Sequence, residues 1–143
     1  MIQCTKILKF EAAHRIIGHQ GKCKMLHGHS YVIELSFESE ELDELGMVVD
    51  FSIIKKKLKS WIDKNWDHNV ILNIEDKVLG GYIKECLDQE IYYMNGNPTA
   101  ENMASHLLYE IVPVIFQDQH IKCTQVILRE TQSCYVKINL SDK

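Results

Sequence analysis

The stretch that decides the fold reads His27-Gly28-His29-Ser30-Tyr31-Val32-Ile33-Glu34-Leu35-Ser36-Phe37. Its histidine, aromatic and most aliphatic residues share one parity, and its serine and glutamate residues occupy the other. Successive side chains of a β-strand point to opposite faces, so this alternation predicts a long, half-buried strand. The two histidines then project side by side from its inner face.

A shorter alternation precedes this strand, with Leu8, Phe10, Ala12 and His14 on one parity. We expect the two strands to pair antiparallel, which can bring His14 beside the other two histidines. Inward imidazoles need polar partners when they are buried. Three histidines and one open position are a common way to hold a catalytic zinc ion. From spacing alone, a zinc site and a purely structural role both remain open.

The rest of the chain predicts two main helices and two further strands. A break and a weakly patterned segment lie between the two helices. In that segment, Gly80-Gly81 would interrupt a short helix, and an extended piece would follow at Ile91–Tyr93. We expect a helix starting near Phe51, a break over Asn65–Asn73, the weakly patterned segment Ile74–Asn97, a helix over about Thr99–Val112 closed by Pro113, and strands at about Lys122–Leu128 and Cys134–Leu140. The order strand-strand-helix-helix-strand-strand predicts one α+β domain over residues 1–143. Its four-stranded antiparallel sheet would carry two main helices on one face. Assembly into a closed barrel would remove the two sheet edges.

Composition excludes several classes of protein. The chain has 143 residues, enough for one domain, and a formal net charge of −4, which argues against a nucleic-acid partner. Its five cysteines are odd in number and include no CxxC, which argues against a disulfide scaffold or a thiolate zinc knuckle. The sequence shows neither a signal peptide nor an apolar run of membrane-spanning length. We expect a soluble cytoplasmic protein with reduced thiols.

Other chemical groups have weaker signals. Cys23 lies in a loop rich in glycine and lysine, and two adjacent lysines would favour its thiolate, although most cysteines are small buried hydrophobes. Asp67-His68 is either a capped helix end or a proton carrier tuned by a carboxylate. Taken alone, Glu130 suits a turn, and Glu101 suits the N-terminal turn of a helix.

Five motifs follow one another in an order that is typical of one family. They are Phe10-Glu11-Ala12-Ala13-His14, Cys23-x-x-x-His27-Gly28-His29, Asp67-His68, Pro98-Thr99-Ala100-Glu101-Asn102 and Glu130-Thr131. Over nearly its whole length the chain resembles the 6-pyruvoyltetrahydropterin synthase family. Gly46-Met47-Val48-Val49-Asp50-Phe51 and Asn97-Pro98-Thr99-Ala100-Glu101-Asn102 look more like the bacterial 6-carboxytetrahydropterin synthases of queuosine biosynthesis than the animal, pyruvoyl-forming branch.

This resemblance implies a fold, an assembly and a set of site residues. The tunnelling fold joins the sheets of neighbouring subunits into a barrel, commonly in a homohexamer built as a dimer of trimers, with sites at subunit boundaries. One Zn²⁺ ion per subunit would be bound by His14, His27 and His29. The remaining roles would be a proton-abstracting base at Cys23, a second proton carrier at Asp67 and His68 reaching a neighbour's site, a pterin anchor at Glu130, and pocket walls at Thr99 and Glu101.

The implied reaction is that of a zinc-dependent lyase. It would convert 7,8-dihydroneopterin triphosphate into 6-carboxy-5,6,7,8-tetrahydropterin, acetaldehyde and triphosphate. One alternative is a 6-pyruvoyltetrahydropterin synthase, which releases triphosphate only. A second alternative is a non-enzymatic protein that binds zinc or a pterin. The expected partner is the small-molecule pterin triphosphate, not a nucleic acid or a membrane.

Overall fold

The structure, a computed structural model, describes residues 1–142. Its strands are β1 (Ile2–His14), β2 (His27–Ser39), β3 (Asn69–Asn73), β4 (Ile91–Met94), β5 (Lys122–Arg129) and β6 (Tyr135–Asn139). Its helices are α1 (Phe51–Asn65), α2 (Lys77–Leu87), α3 (Ala100–His106) and α4 (Val112–Ile115), with a π-helical turn at Leu107–Ile111 and 3₁₀ turns at Lys22–Lys24, Ile74–Asp76 and Leu140–Asp142. No helix in this part of the chain is long and apolar enough to cross a membrane.

The strands form one six-stranded sheet in the order β4-β3-β1-β2-β5-β6. β1 and β2 pair antiparallel over their whole length, from Ile2 opposite Ser39 to His14 opposite His27. β5 and β6 continue the antiparallel part, whereas β3 and β4 pair parallel on the other side of β1. The α+β class and the four predicted strands are confirmed, but the prediction of a four-stranded, purely antiparallel sheet is wrong.

The sequence did not predict β3, because both faces of this strand are buried. Val70 and Leu72 pack with Ile83 of α2, and Ile71 between them packs into the main core on the opposite face. A strand buried on both faces shows a short apolar run without alternation. The expected break over Asn65–Asn73 therefore contains a strand.

The helices are divided between the two faces of the sheet. Ile54 and Leu58 of α1 and Met103 of α3 share the main core with the inner face of β1 and β2. α2 instead covers β3 and β4 from the other side. The prediction that helices cover only one face is wrong, because the short helix expected in the weakly patterned segment packs on the other face.

The helix that begins after Thr99 also differs from its prediction. Thr99 caps α3 by accepting a hydrogen bond from the Asn102 amide, as its position suggests. Pro113 does not close the helix, which continues to Ile115 after the π-helical turn. Pro113 is tolerated because it follows the π-helical turn directly, where the Val112 amide bonds the Leu107 carbonyl and the regular hydrogen bonding of an α-helix is already interrupted.

Gly80 and Gly81 lie inside α2 and do not interrupt it. A Cβ on Gly80 would overlap the Tyr93 hydroxyl, whereas a Cβ on Gly81 would meet nothing within 4 Å. We expect Gly80→Ala to lower the free energy of unfolding by about 1–3 kcal/mol, because Tyr93 must move. The matched control Gly81→Ala should raise it by up to about 1 kcal/mol. Urea unfolding of both variants measures the difference, and equal effects would contradict the packing role of Gly80.

Candidate metal centre and active site

Three histidines converge where β1 ends and β2 begins. The antiparallel register places His14 opposite His27, and Ala12 opposite His29. One potential ligand nitrogen from each ring lies within 4.8 Å of the others. His14 is buried, and the other two rings are half-buried. The inward pair and the third ring therefore meet as the strand parity predicts.

The hydrogen bonds of two rings determine where their protons lie. Nδ1 of His14 lies 2.7 Å from the Pro98 carbonyl oxygen, and Nδ1 of His27 lies 2.7 Å from that of Met25. A carbonyl oxygen only accepts, so each Nδ1 must donate, and each neutral ring has a bare lone pair on Nε2. These two Nε2 atoms lie 3.1 Å apart. Two facing lone pairs repel unless a cation lies between them.

This donor set fits a zinc ion. Two nitrogens bound to zinc at about 2.1 Å with tetrahedral geometry lie about 3.4 Å apart, close to the separation found between His14 and His27. A carbonyl that accepts from the other ring nitrogen is also a common feature of metal-ligating histidines. His14, His27 and His29 would hold the ion, which leaves one coordination position for another ligand.

Burial favours the neutral form of His14 and His29, which is the form that binds metal. Desolvation lowers the pKa of His14 to about 4, and repulsion from the other two imidazoles adds to this, against the opposing effect of the Pro98 hydrogen bond. Desolvation also lowers the pKa of His29, although Glu130 opposes that shift. Tyr31 is fully buried with its hydroxyl 3.2 Å from Nδ1 of His14, and burial raises its pKa.

The lowered pKa of His14 predicts how the metal-free protein responds to acid. The unfolded chain binds a proton near pH 6.5 and the folded protein only near pH 4, so stability is complete above pH 6.5 and falls below it. The contribution of His14 should lower the free energy of unfolding by about 2 kcal/mol between pH 7 and pH 5. Urea unfolding in the presence of chelator measures the slope of the unfolding free energy against pH. His14→Gln should flatten it, and an unchanged slope in that variant would contradict the assignment.

A cavity of about 410 Å³ opens beside the histidines. The predicted site residues that line it are His14, Cys23, Thr99, Glu101 and Glu130. Cys23 lies half-buried in the 3₁₀ turn between β1 and β2, and Thr99 and Glu101 come from the start of α3. The structure thus gathers residues from three distant parts of the chain around one space.

Glu130 is the acidic group nearest to the histidines in this cavity. Its carboxylate oxygens lie 4.0 Å from Nε2 of His14 and 4.0 Å from Nε2 of His29. It follows β5 directly, so the end of that strand sets its position. A carboxylate at this place can accept hydrogen bonds from a ligand that also reaches the histidine cluster.

Asp67 and His68 lie elsewhere. Their side chains meet, with His68 Nδ1 2.9 Å from Asp67 Oδ2, while Asp67 Oδ1 accepts from the Glu11 amide at 2.9 Å. His68 is exposed, has a positive φ of 57°, and lines a second cavity together with Ser30 and Gln89. Within one chain the pair is not among the residues that line the Cys23 cavity.

The Asp67–His68 hydrogen bond shifts the pKa of both partners. It raises the pKa of His68, and the negative charge of Asp67 adds to this effect. Burial acts to raise the pKa of Asp67, but hydrogen bonds from the Glu11 amide and His68 outweigh burial, and that pKa is lowered. The pair therefore favours an imidazolium beside a carboxylate, which suits a proton donor.

Sequence reasoning assigned no role to three residues that support the site. These are Tyr31, Asn97 and Pro98. Tyr31 shares the inward parity of His27 and His29, and this signal in the sequence was sufficient to place it near them. The Pro98 carbonyl is itself a backbone group, and the Asn97 side chain binds backbone atoms. Contacts of this kind leave no pattern of residue types in the sequence.

Comparison with known proteins identifies the family of the chain. A model of the family described as 6-pyruvoyl tetrahydropterin synthase matches residues 3–140. The chain belongs to this family. A Rickettsia typhi protein named 6-carboxy-5,6,7,8-tetrahydropterin synthase is 51% identical over 96% of this chain and 100% of its own. An Aquifex aeolicus protein of the same name is 30% identical over 90% of this chain and 92% of its own.

Solved structures show the same fold for this synthase family member. An uncharacterized protein from Wolinella succinogenes superposes with a TM-score of 0.81 at 22% identity, over 97% of this chain and 98% of that one. The 6-pyruvoyltetrahydropterin synthase of Plasmodium vivax gives a TM-score of 0.68 at 19% identity, over 98% and 100%. The relatives confirm the predicted family and the prediction of an enzyme of the 6-carboxytetrahydropterin synthase type.

Proposed function

We propose that this protein is a zinc-dependent lyase that converts 7,8-dihydroneopterin triphosphate and one water molecule into 6-carboxy-5,6,7,8-tetrahydropterin, acetaldehyde and triphosphate in queuosine biosynthesis. The observation that carries the proposal is one cavity lined by the Cys23 thiol, the Glu130 carboxylate and His14, whose Nε2 lies 3.1 Å from Nε2 of His27. The names of the Rickettsia and Aquifex relatives support the carboxy-forming reaction.

The protein's own groups would bind the substrate and move its protons. When bound, zinc would supply Lewis acidity toward the oxygens of the substrate side chain. Glu130 would accept two N–H groups of the pterin, a planar, charge-assisted interaction that fixes the ring. Cys23 would remove a carbon-bound proton from the side chain, for which a base must be held close. Thr99 and Glu101 would line the ring pocket.

A second proton carrier would come from a neighbouring subunit. Asp67 and His68 are hydrogen-bonded to each other but are not among the residues that line the Cys23 cavity. In the described residues β3 pairs with β1 only at Ala12–His14, so Ile2–Phe10 pair with no strand on that side of β1. Free edges favour strand pairing between copies. We propose a homohexamer of two trimers with sites at subunit boundaries, which native mass spectrometry measures.

Product identification distinguishes this reaction from its near alternative. Purified protein loaded with zinc should turn dihydroneopterin triphosphate into a carboxypterin and acetaldehyde, both identified by mass spectrometry. A pyruvoyl product without acetaldehyde would instead support a 6-pyruvoyltetrahydropterin synthase. Absence of turnover with intact substrate binding would support a non-enzymatic pterin-binding protein. Chelator should stop the reaction, and added zinc should restore it.

A further inference from the structure

The loop between β1 and β2, residues 15–26, is held by contacts from the segment that follows β3. Arg15 Nε and Nη2 each lie 2.5 Å from a carboxylate oxygen of Asp76, which is only 5% exposed. A second contact joins Asn97 to Ile17: Oδ1 accepts from the Ile17 amide at 3.0 Å, and Nδ2 donates to the Ile17 carbonyl at 3.0 Å. We call this second contact the amide bridge.

The amide bridge reaches Cys23 through one further hydrogen bond. The Ile16 amide, next to Ile17, donates to the Cys23 carbonyl at 2.8 Å. Ile16 and Cys23 both line the cavity beside the histidines. Holding Ile17 in place therefore holds the backbone of Cys23 at the wall of this cavity.

Asn97 is itself firmly placed. Its Oδ1 also accepts from Nδ2 of Asn73 at 3.2 Å, and its backbone carbonyl accepts from the Thr99 amide and from Nδ2 of Asn102, both at 2.8 Å. The next carbonyl along the chain, that of Pro98, orients His14. One short turn thus controls both a candidate metal ligand and the loop of the candidate base.

We propose that Asn97 is a positioning residue that sets Cys23 against the histidine cluster through the amide bridge. The inference rests on the proposed function, because it treats Cys23 as the base. Proton transfer from carbon depends steeply on the placement of the base, and a displacement of about 1 Å can cost about 100-fold in rate. Loss of the bridge should therefore slow the chemical step, whereas Glu130 and the histidines keep their positions and their affinity for ligands.

The test compares Asn97→Ala with Asn95→Ala, which changes an exposed asparagine in the same turn. In the zinc-loaded Asn97→Ala protein we expect kcat to fall about 10- to 100-fold with KM within about threefold of wild type. Bound zinc should remain at the wild-type level. Amide hydrogen exchange over residues 15–26 should accelerate at least about 10-fold. Asn95→Ala should change none of these quantities.

Asn97→Asp provides a second variant if the alanine protein does not fold. It keeps an acceptor for the Ile17 amide but replaces the donor with an oxygen that faces the Ile17 carbonyl, so the same losses are expected. Wild-type kcat and loop exchange in either folded variant would overturn the proposal, as would a raised KM with unchanged kcat. If even wild type forms no product, the proposed function fails, and the exchange measurement still tests the bridge.

Discussion

Cys23→Ala should lower turnover at least about 100-fold while the protein keeps its zinc and its fold. General-base catalysis typically contributes about 10²- to 10⁴-fold, and the thiol is the candidate base in the cavity. Zinc should be retained, because the three imidazoles are the proposed ligands. Steady-state kinetics gives the loss, elemental analysis gives the zinc content, and thermal unfolding reports the fold.

Cys86→Ala is the matched control for this prediction. Cys86 is an exposed thiol on α2 and is not among the residues that line the cavity. This variant should retain full activity. Undiminished turnover in Cys23→Ala would remove Cys23 from the mechanism and would return the non-enzymatic alternative to consideration. Loss of zinc together with activity would show instead that the sulfur is a ligand.

His29→Ala should weaken zinc binding at least about 100-fold and abolish product formation. Removal of a group that merely orients a ligand costs about 10- to 100-fold in metal affinity, and removal of a ligand should cost more. Zinc at about 100 times its dissociation constant stabilises a protein by about 2.7 kcal/mol. At the same zinc concentration the stabilisation should fall to about 0.4 kcal/mol or less in this variant. Titration calorimetry measures the affinity, and thermal unfolding measures the stabilisation.

His120→Ala controls for the loss of any imidazole. His120 is exposed and lines neither the Cys23 cavity nor the cavity of the Asp67–His68 pair. The His120→Ala protein should bind zinc and unfold as the wild-type protein does. Tight zinc binding in His29→Ala would contradict a three-histidine site, and undiminished turnover in that variant would contradict a catalytic role for the metal.

The sequence predicts the histidine cluster well, because strand parity and the antiparallel pairing of two neighbouring strands determine it. His27 and His29 share a face of β2, and the pairing of β1 with β2 adds His14. β3 could not be found in this way, since its three central residues are apolar on both faces. Where elements lack a periodic pattern, their packing partners decide the structure, and those partners lie far away in the sequence.

The location of functional groups relative to one another was harder to predict than their identity. Asp67 and His68 stand out as a motif, yet only the structure shows that they lie away from the Cys23 cavity. Asn97 belongs to a motif that the sequence already singles out. Its bridge to Ile17 spans 80 residues and involves backbone atoms, which every residue type possesses.

All three candidate zinc ligands belong to a single β-hairpin near the N-terminus, whereas Pro98 and Glu130 come from much later in the chain. During synthesis, the donor nitrogens leave the ribosome long before the carbonyl that orients His14. An isolated hairpin is marginally stable in water. We therefore expect that metal captured by the nascent chain would favour the pairing of these two strands, around which the later elements then assemble.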